Sequence, residues 1–441
     1  MAASREELKK RACEAIDKNR DKIIALGESI MMEPELGYKE FKTADKVKKV
    51  FDELGFQYRD GVAITGVIAP LKGKESKIRV AVMGELDAVV VPGHALCNKE
   101  TGAAHCCGHN AQIASMVGVG YALAGTGILE ELSGDVVLMA VPSEEFVEIE
   151  YRNELRKAGK IHFLGGKQEF IYLGVFDDID MMIMQHTSTT ENGDEAGKIK
   201  GNCGGSTGLG FMGKLVRYIG KEAHAGGAPH LGINALNAAQ IGLAAVNANR
   251  ETFQDKDTIR VHPIITKGGD LVNVVPADVR IETYVRGGNM EAILDASAKV
   301  DRAFKAGADA VGAKCEITNL PGYLLPYESE ELKDVVWENM HALMGDSAVR
   351  NGSGGSTDAQ DLSQIIPVVH MRIGGAKGIG HGANYEIVDK EMAYITAAKI
   401  LATTAIDLLA EGAVLGQKVK DNFKAPMTKE QYLRDWGGLD L

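Results

Sequence analysis

The chain reads as an α/β protein of two domains, an open sheet domain interrupted by a smaller α+β domain. Three observations predict this. Single candidate metal ligands stand at the ends of separate apolar runs, which is how an open α/β sheet converges a site at the carboxyl edge of its strands. Between residues 204 and 322 the order changes to β-α-β-β-α-β, the ferredoxin-like arrangement. After about residue 325 the first pattern resumes. Residues 1–203 and 323–441 are therefore expected to be two parts of one catalytic domain, with 204–322 inserted as a domain of its own.

The elements follow in order. Residues 5–55 mix helical charge with apolar positions, and the run is broken at Pro34 to Tyr38. Lys77 to Val82 is a short strand, with Gly84-Glu-Leu-Asp-Ala88 after it. Ala111 to Ala124 is apolar nearly all round and suits a buried helix, with Asn110 as its N-cap. Asp135 to Val141 and Ile179 to Gln185 are buried strands that end at candidate ligands. In the insert, Thr207 to Ile219, Thr258 to Thr266, Val279 to Arg286 and Ala313 to Thr318 read as strands. Ile233 to Ala248 and Met290 to Ala308 read as helices. A helix through Leu343, a Gly-Ser loop at 352–357, the strand Pro367 to Ile373 and a helix from Glu391 to Ala410 complete the chain.

At 441 residues the chain can bury a large core. A formal charge of -12 argues against nucleic acid or an anionic membrane as a partner. The first ten residues lack the apolar core of a signal peptide, and no apolar run is long enough to span a bilayer. Six cysteines without a scaffold spacing fit a reducing compartment, so a cytoplasmic location is expected.

The chemistry concentrates at a few positions. Cys107 and His109 flank Gly108, and a thiolate and an imidazole two residues apart can reach one metal cluster from a tight turn. A buried free cysteine beside a capping histidine is the plainer alternative. Glu144 and Glu145 follow an apolar strand and Pro142, so their side chains diverge. One glutamate can bind metal while the other takes a proton from the attacking water. His186 ends another apolar strand and reads either as a hydrogen-bonded core residue or as a ligand. His381 stands between glycines, as a loop residue or a ligand. Asp87 is a partner that orients His109 or a helix cap. In the insert, His224 lies in a Gly-rich loop and can donate to a developing oxyanion. Asn273 and Arg286 can bind a substrate carboxylate, or else form a turn and a surface ion pair.

Taken in order, these segments resemble the amidohydrolase subfamily of the M20 metallopeptidases. The resemblance rests on Gly84 to Ala88, His105-Cys-Cys-Gly-His-Asn110, Pro142-Ser-Glu-Glu145, Gln185-His186, the His224 loop, Asn273-Val-Val-Pro276, Gly355-Ser-Thr-Asp358 and Gly380-His381. It implies a zinc-peptidase-like catalytic domain with a dimerisation or lid insert. It implies two divalent metal ions, zinc or manganese, bridged by Cys107 and held by His109, Glu145, His186 and His381. It further implies Glu144 as general base and acid, His224 acting on a neighbouring subunit's site, and Asn273 and Arg286 on the substrate. The implied assembly is a homodimer or higher homo-oligomer.

The chain departs from the subfamily's commonest form at Asn110, where that form has Asp, and at Cys106, where it has a small residue. Asn110 is closer to the aminobenzoyl-glutamate hydrolase and dipeptidase branch. The segment 146–173 is longer and more charged than the resemblance leads one to expect. The expected activity is cleavage of an amide on a small carboxylate-bearing molecule, an N-acyl amino acid, a dipeptide or an aminobenzoyl-glutamate-like compound. The alternatives are hydrolytic deamination of an aryl amine or amidine, and a non-catalytic metal-binding assembly protein.

Overall fold

The computed structural model describes residues 3–189, 200–204, 208–351 and 355–437. Its larger sheet has four parallel central strands in the order Asp135–Val141, Arg79–Glu85, Met181–Thr189, Val368–Lys377. Gly66–Leu71 pairs antiparallel outside Asp135–Val141. All seven residues of Asp135–Val141 are buried, as are six of the seven in Arg79–Glu85. Their near-continuous apolar sequence follows from cover on both faces. Leu8, Ile23, Met116 and Leu401, from four helices, belong to the core on one face. Phe163, Phe170, Leu362 and Trp436 pack against the other.

The expected helix after the Cys-Gly turn is His109–Leu123, and every residue in it is buried. Asn110 is not its cap. Gly108, in the left-handed region at φ 90°, holds the cap position, so the helix already starts at His109. Asn110 lies inside the first turn and donates to Gly27 O and Tyr394 Oη, each at 3.2 Å. It ties neighbouring helices together instead of closing its own.

Gly210–Ile219, Asp278–Gly287 and Lys314–Pro321 are long strands of a second, antiparallel sheet. Thr207, the expected start of the first, lies outside the described residues, as do residues 352–354 of the Gly-Ser loop. The strand expected over Thr258 to Thr266 is two short ones, Arg260–Val261 and Ile264–Lys267, both on Asp278–Gly287. Pro263 separates them because it has no N–H to give the ladder. Helices Ala235–Ala248 and Met290–Val311 share a core with one face of this sheet. Along Asp278–Gly287 burial alternates, with Val279, Ile281 and Val285 in that core. Tyr284 and Arg286 fall on the opposite face and line a cleft together with His186 and His370 of the larger sheet.

The charged segment after Glu145 folds as two helices, Ile149–Lys157 and Gly166–Tyr172. One described helix, Glu391–Leu409, is long and apolar enough to cross a membrane, and 83% of its most apolar window is buried inside the fold.

Candidate metal centre and catalytic cleft

The predicted ligands converge from four places: the Cys107–His109 turn, the chain after Asp135–Val141, strand Met181–Thr189 and the 378–382 loop. Cys107, His109 and His186 form one group of ligand atoms within 4.8 Å of each other. Cys107, Glu145 and His381 form a second. Cys107 belongs to both.

Local chemistry fixes each group. A Cβ on Gly108 would stand 2.0 Å from Thr187 Oγ1, so only glycine lets the turn pass the His186 strand. His109 Nδ1 donates to the Asp87 carbonyl at 2.8 Å, and the Asp87 carboxylate lies 3.3 Å from the same nitrogen. In the neutral ring this proton placement leaves His109 Nε2 with a lone pair facing the site. The other Asp87 oxygen accepts from Glu145 N at 2.8 Å. Asp87 therefore holds both His109 and Glu145 in place. His186 Nδ1 lies 2.8 Å from the Thr187 carbonyl, and its Nε2 lies 3.1 Å from Cys107 Sγ.

Ser143, at φ 57°, bends the chain as it leaves the Asp135–Val141 strand. Its N–H donates to the buried Glu40 carboxylate at 2.8 Å. The bend brings both following glutamates to the cleft. Glu145 lies 3.0 Å from His381 Nε2. Glu144 Oε2 lies 3.8 Å from His109 Nε2, and its backbone carbonyl accepts from the Tyr323 hydroxyl.

Electrostatics separate the pair. Burial pushes the Glu144 carboxyl well above its ordinary range, and the charges of Glu85 and Glu145 add to this. Burial acts on Glu145 in the same direction, but the His381 imidazolium outweighs it and holds Glu145 below its usual value. Contact with Cys107 and Glu145 raises His381 to about 11, so an ion binding there must displace its proton.

Two buried atoms in these groups, His109 Nε2 and Glu145 Oε1, have no hydrogen-bond partner despite close neighbours. Unsatisfied N and O donors around a thiol are a set that suits a divalent metal ion. Cys106 offers no such site. It is fully buried, and burial, with the neighbouring Cys107, pushes its thiol up to about 12. Cys107→Ser is therefore expected to lose far more metal than Cys106→Ser, measured as metal content of the purified variants. Equal loss, or loss only from Cys106→Ser, would place the bridge on the wrong cysteine.

A cleft of about 820 Å³ opens over these groups. Arg286 lines it, donates to Ser356 Oγ at 3.1 Å, and packs over Phe211 and Tyr284. His224 and Asn273 are not part of its lining. Both are exposed, and they are neighbours: Ala225 N donates to Asn273 O at 2.9 Å. His224 Nδ1 accepts from Gly226 N at 3.1 Å and Gly227 N at 2.9 Å, which places the neutral ring's proton on Nε2.

Several residues at the site went unread in the sequence. Glu40 and Tyr323 sit in separate segments without a spaced partner, and His370 and Arg372, two apart on the strand Val368–Lys377, carry no ligand-type spacing to the other site residues. Glu85 and Asp358 lie inside quoted motifs, but their joint partner Lys167 comes from the 146–173 segment.

The chain matches the model of peptidase family M20/M25/M40 over residues 81–407. It is 28% identical to the Xaa-Arg dipeptidase of Mus musculus, covering 98% of this chain and 96% of that protein. It is 25% identical to the N-acyl-L-amino acid amidohydrolase of Geobacillus stearothermophilus, over 73% of this chain and 80% of that one. An aminobenzoyl-glutamate utilization protein from Klebsiella pneumoniae shares the fold, with a TM-score of 0.67 and 20% identity, covering 89% and 97% of the two chains. With a family match of this extent, the chain belongs to peptidase family M20/M25/M40 and is a metal-using hydrolase of C–N bonds.

Proposed function

We propose that this protein is a two-metal amidohydrolase that cleaves a small substrate bearing a carboxylate beside the scissile amide. The observation that carries this reading is the pair of ligand groups sharing Cys107, with Glu144 against them and outside the Cys107 groups. Cys107, His109 and His186 would hold one ion, and Cys107, Glu145 and His381 the other. Bound zinc or manganese supplies Lewis acidity and lowers the pKa of water. Glu144 takes the proton of the attacking water and returns it to the leaving amine. A base placed this way serves catalysis, which a purely structural metal site does not need.

Arg286, fixed by Ser356 and its aromatic neighbours, pairs with the substrate carboxylate. Xaa-Arg dipeptides, N-acyl amino acids and aminobenzoyl-glutamate, the compounds in the relatives' names, all carry a carboxylate beside an amide. Residues 204–322 act as a lid and dimerisation domain, and the active species is a cytoplasmic homodimer. In it, His224 and Asn273 reach the partner's cleft, because neither lines the cleft of its own chain.

The test is a panel of N-acyl amino acids, dipeptides and aminobenzoyl-glutamate read by mass spectrometry, with Glu144→Gln as control. Wild-type protein is expected to release a free amine and a carboxylic acid from at least one compound, and the variant is not. Ammonia release without a new carboxylate would instead indicate a deaminase. A metal-loaded protein silent on every compound, on a metabolite mixture as well, would leave a binding protein.

A further inference from the structure

Glu85 ends the Arg79–Glu85 strand and is fully buried. Its two oxygens face different partners. Oε1 accepts from Lys167 Nζ at 2.5 Å. Oε2 accepts from Gln112 Nε2 at 2.7 Å and lies 2.9 Å from His109 Nε2.

The last contact is informative. Donation from His109 Nδ1 to the Asp87 carbonyl leaves Nε2 a bare lone pair in the neutral ring. A lone pair and a carboxylate oxygen at this distance repel unless a proton or a cation lies between them. His109 Nε2 makes no hydrogen bond, so the two atoms are near each other without being bonded. Glu85, His109 and Glu144 offer ligand atoms that all lie within 4.8 Å of one another.

The charge behind Glu85 points the same way. Lys167 is 0% exposed and also donates to Asp358, from Nζ at 2.5 Å and from its backbone N–H at 2.7 Å. One buried ammonium thus faces two buried carboxylates. A carboxylate held by Lys167 through one oxygen is free to turn the other toward a cation at His109. The position of Lys167 is set by contact with the turn that carries Glu144: a Cβ on Gly166 would stand 1.7 Å from the Pro142 carbonyl. The helix can therefore start directly against that turn.

We propose that Glu85 is a further ligand of the ion held by His109, and that Lys167, backed by Asp358, is a positioning residue for its carboxylate. This rests on the metal-dependent reading above. It also gives the 146–173 segment a role, since that segment supplies the lysine. Oxygen ligation makes the His109 ion's environment harder than a thiolate and two imidazoles alone.

The experiment loads full-length wild type, Glu85→Gln, Glu85→Asp and Lys167→Met with Co²⁺. It reads stoichiometry and affinity by equilibrium dialysis and the d–d absorption of the bound ion, with circular dichroism as the check on folding. Wild type is expected to take two ions. Glu85→Gln is expected to bind one of them at least tenfold more weakly, with altered d–d bands. Glu85→Asp keeps the charge that faces Lys167 but withdraws the oxygen from His109, so it is expected to show the same loss if Glu85→Gln fails to fold. Lys167→Met keeps Glu85 and is expected to alter the spectrum with a smaller loss of affinity. Folded Glu85 variants that bind both ions with wild-type affinity and spectrum would overturn the proposal while leaving the hydrolase reading intact. A wild-type protein that takes up no divalent ion would overturn both.

Discussion

Glu144→Gln is expected to keep its metal and its fold while losing turnover by roughly 10²-fold or more, the usual scale of general acid–base catalysis. Glu145→Gln is expected to lose metal. The two residues are chain neighbours, so the difference must come from direction and partners. Glu145 sits with Cys107 and His381, 3.0 Å from the histidine, and its backbone N–H is held by Asp87. Glu144 has no part in either Cys107 group and lines the open cleft. An amide at position 144 keeps the shape but cannot accept the proton of water. An amide at position 145 withdraws the negative charge that holds an ion beside His381. Metal content and rate on the same preparations decide the matter. A metal-free Glu144→Gln with a metal-replete Glu145→Gln would reverse the two roles.

What could be read before the fold was seen depended on how local its cause is. The buried strands and the helix after Gly108 announce themselves through unbroken apolar runs, and the ligands through their place at the ends of those runs. Residue type favours a cap at Asn110, whereas the left-handed Gly108 starts the helix two residues earlier. The break at Pro263 was passed over although the missing N–H marks it in the sequence. The Glu85–Lys167–Asp358 cluster could not be read at all. Lys167 lies 82 residues from Glu85 and 191 from Asp358, and nothing in the sequence links the motifs that hold the two carboxylates to that lysine. Only folding brings them together, and only their complete burial shows that they are not on the surface. Asp87 lies between these cases. Its neighbourhood to His109 is a long-range fact, but its place just after a strand made an orienting role legible.

Homodimers of His224→Ala and of Glu144→Gln are each expected to be nearly inactive, and mixing them under conditions that exchange subunits is expected to restore activity. The cause is geometric. His224 is exposed, carries its donor proton on Nε2, and lies outside the cleft that holds Glu144 in the same chain. The strand beside its domain's edge, Ile264–Lys267, presents Ile264 and Ile265 at 52% and 43% exposure, and Leu271 and Val272 nearby are more exposed still. An exposed apolar sheet edge of this kind can pair with a second copy. The expectation is that pairing carries each His224 loop to the partner's cleft, where Nε2 can stabilise a developing oxyanion. In a mixed dimer one of the two clefts then has an intact Glu144 and an intact His224 from across the interface. With random exchange of an equal mixture, half of the dimers are mixed and each has one working site, so recovery to about a quarter of wild-type activity is expected. Native mass spectrometry shows whether exchange has taken place. If mixed dimers form and activity stays at the level of the parents, His224 acts within its own chain or only shapes its loop, and the cross-subunit role is wrong.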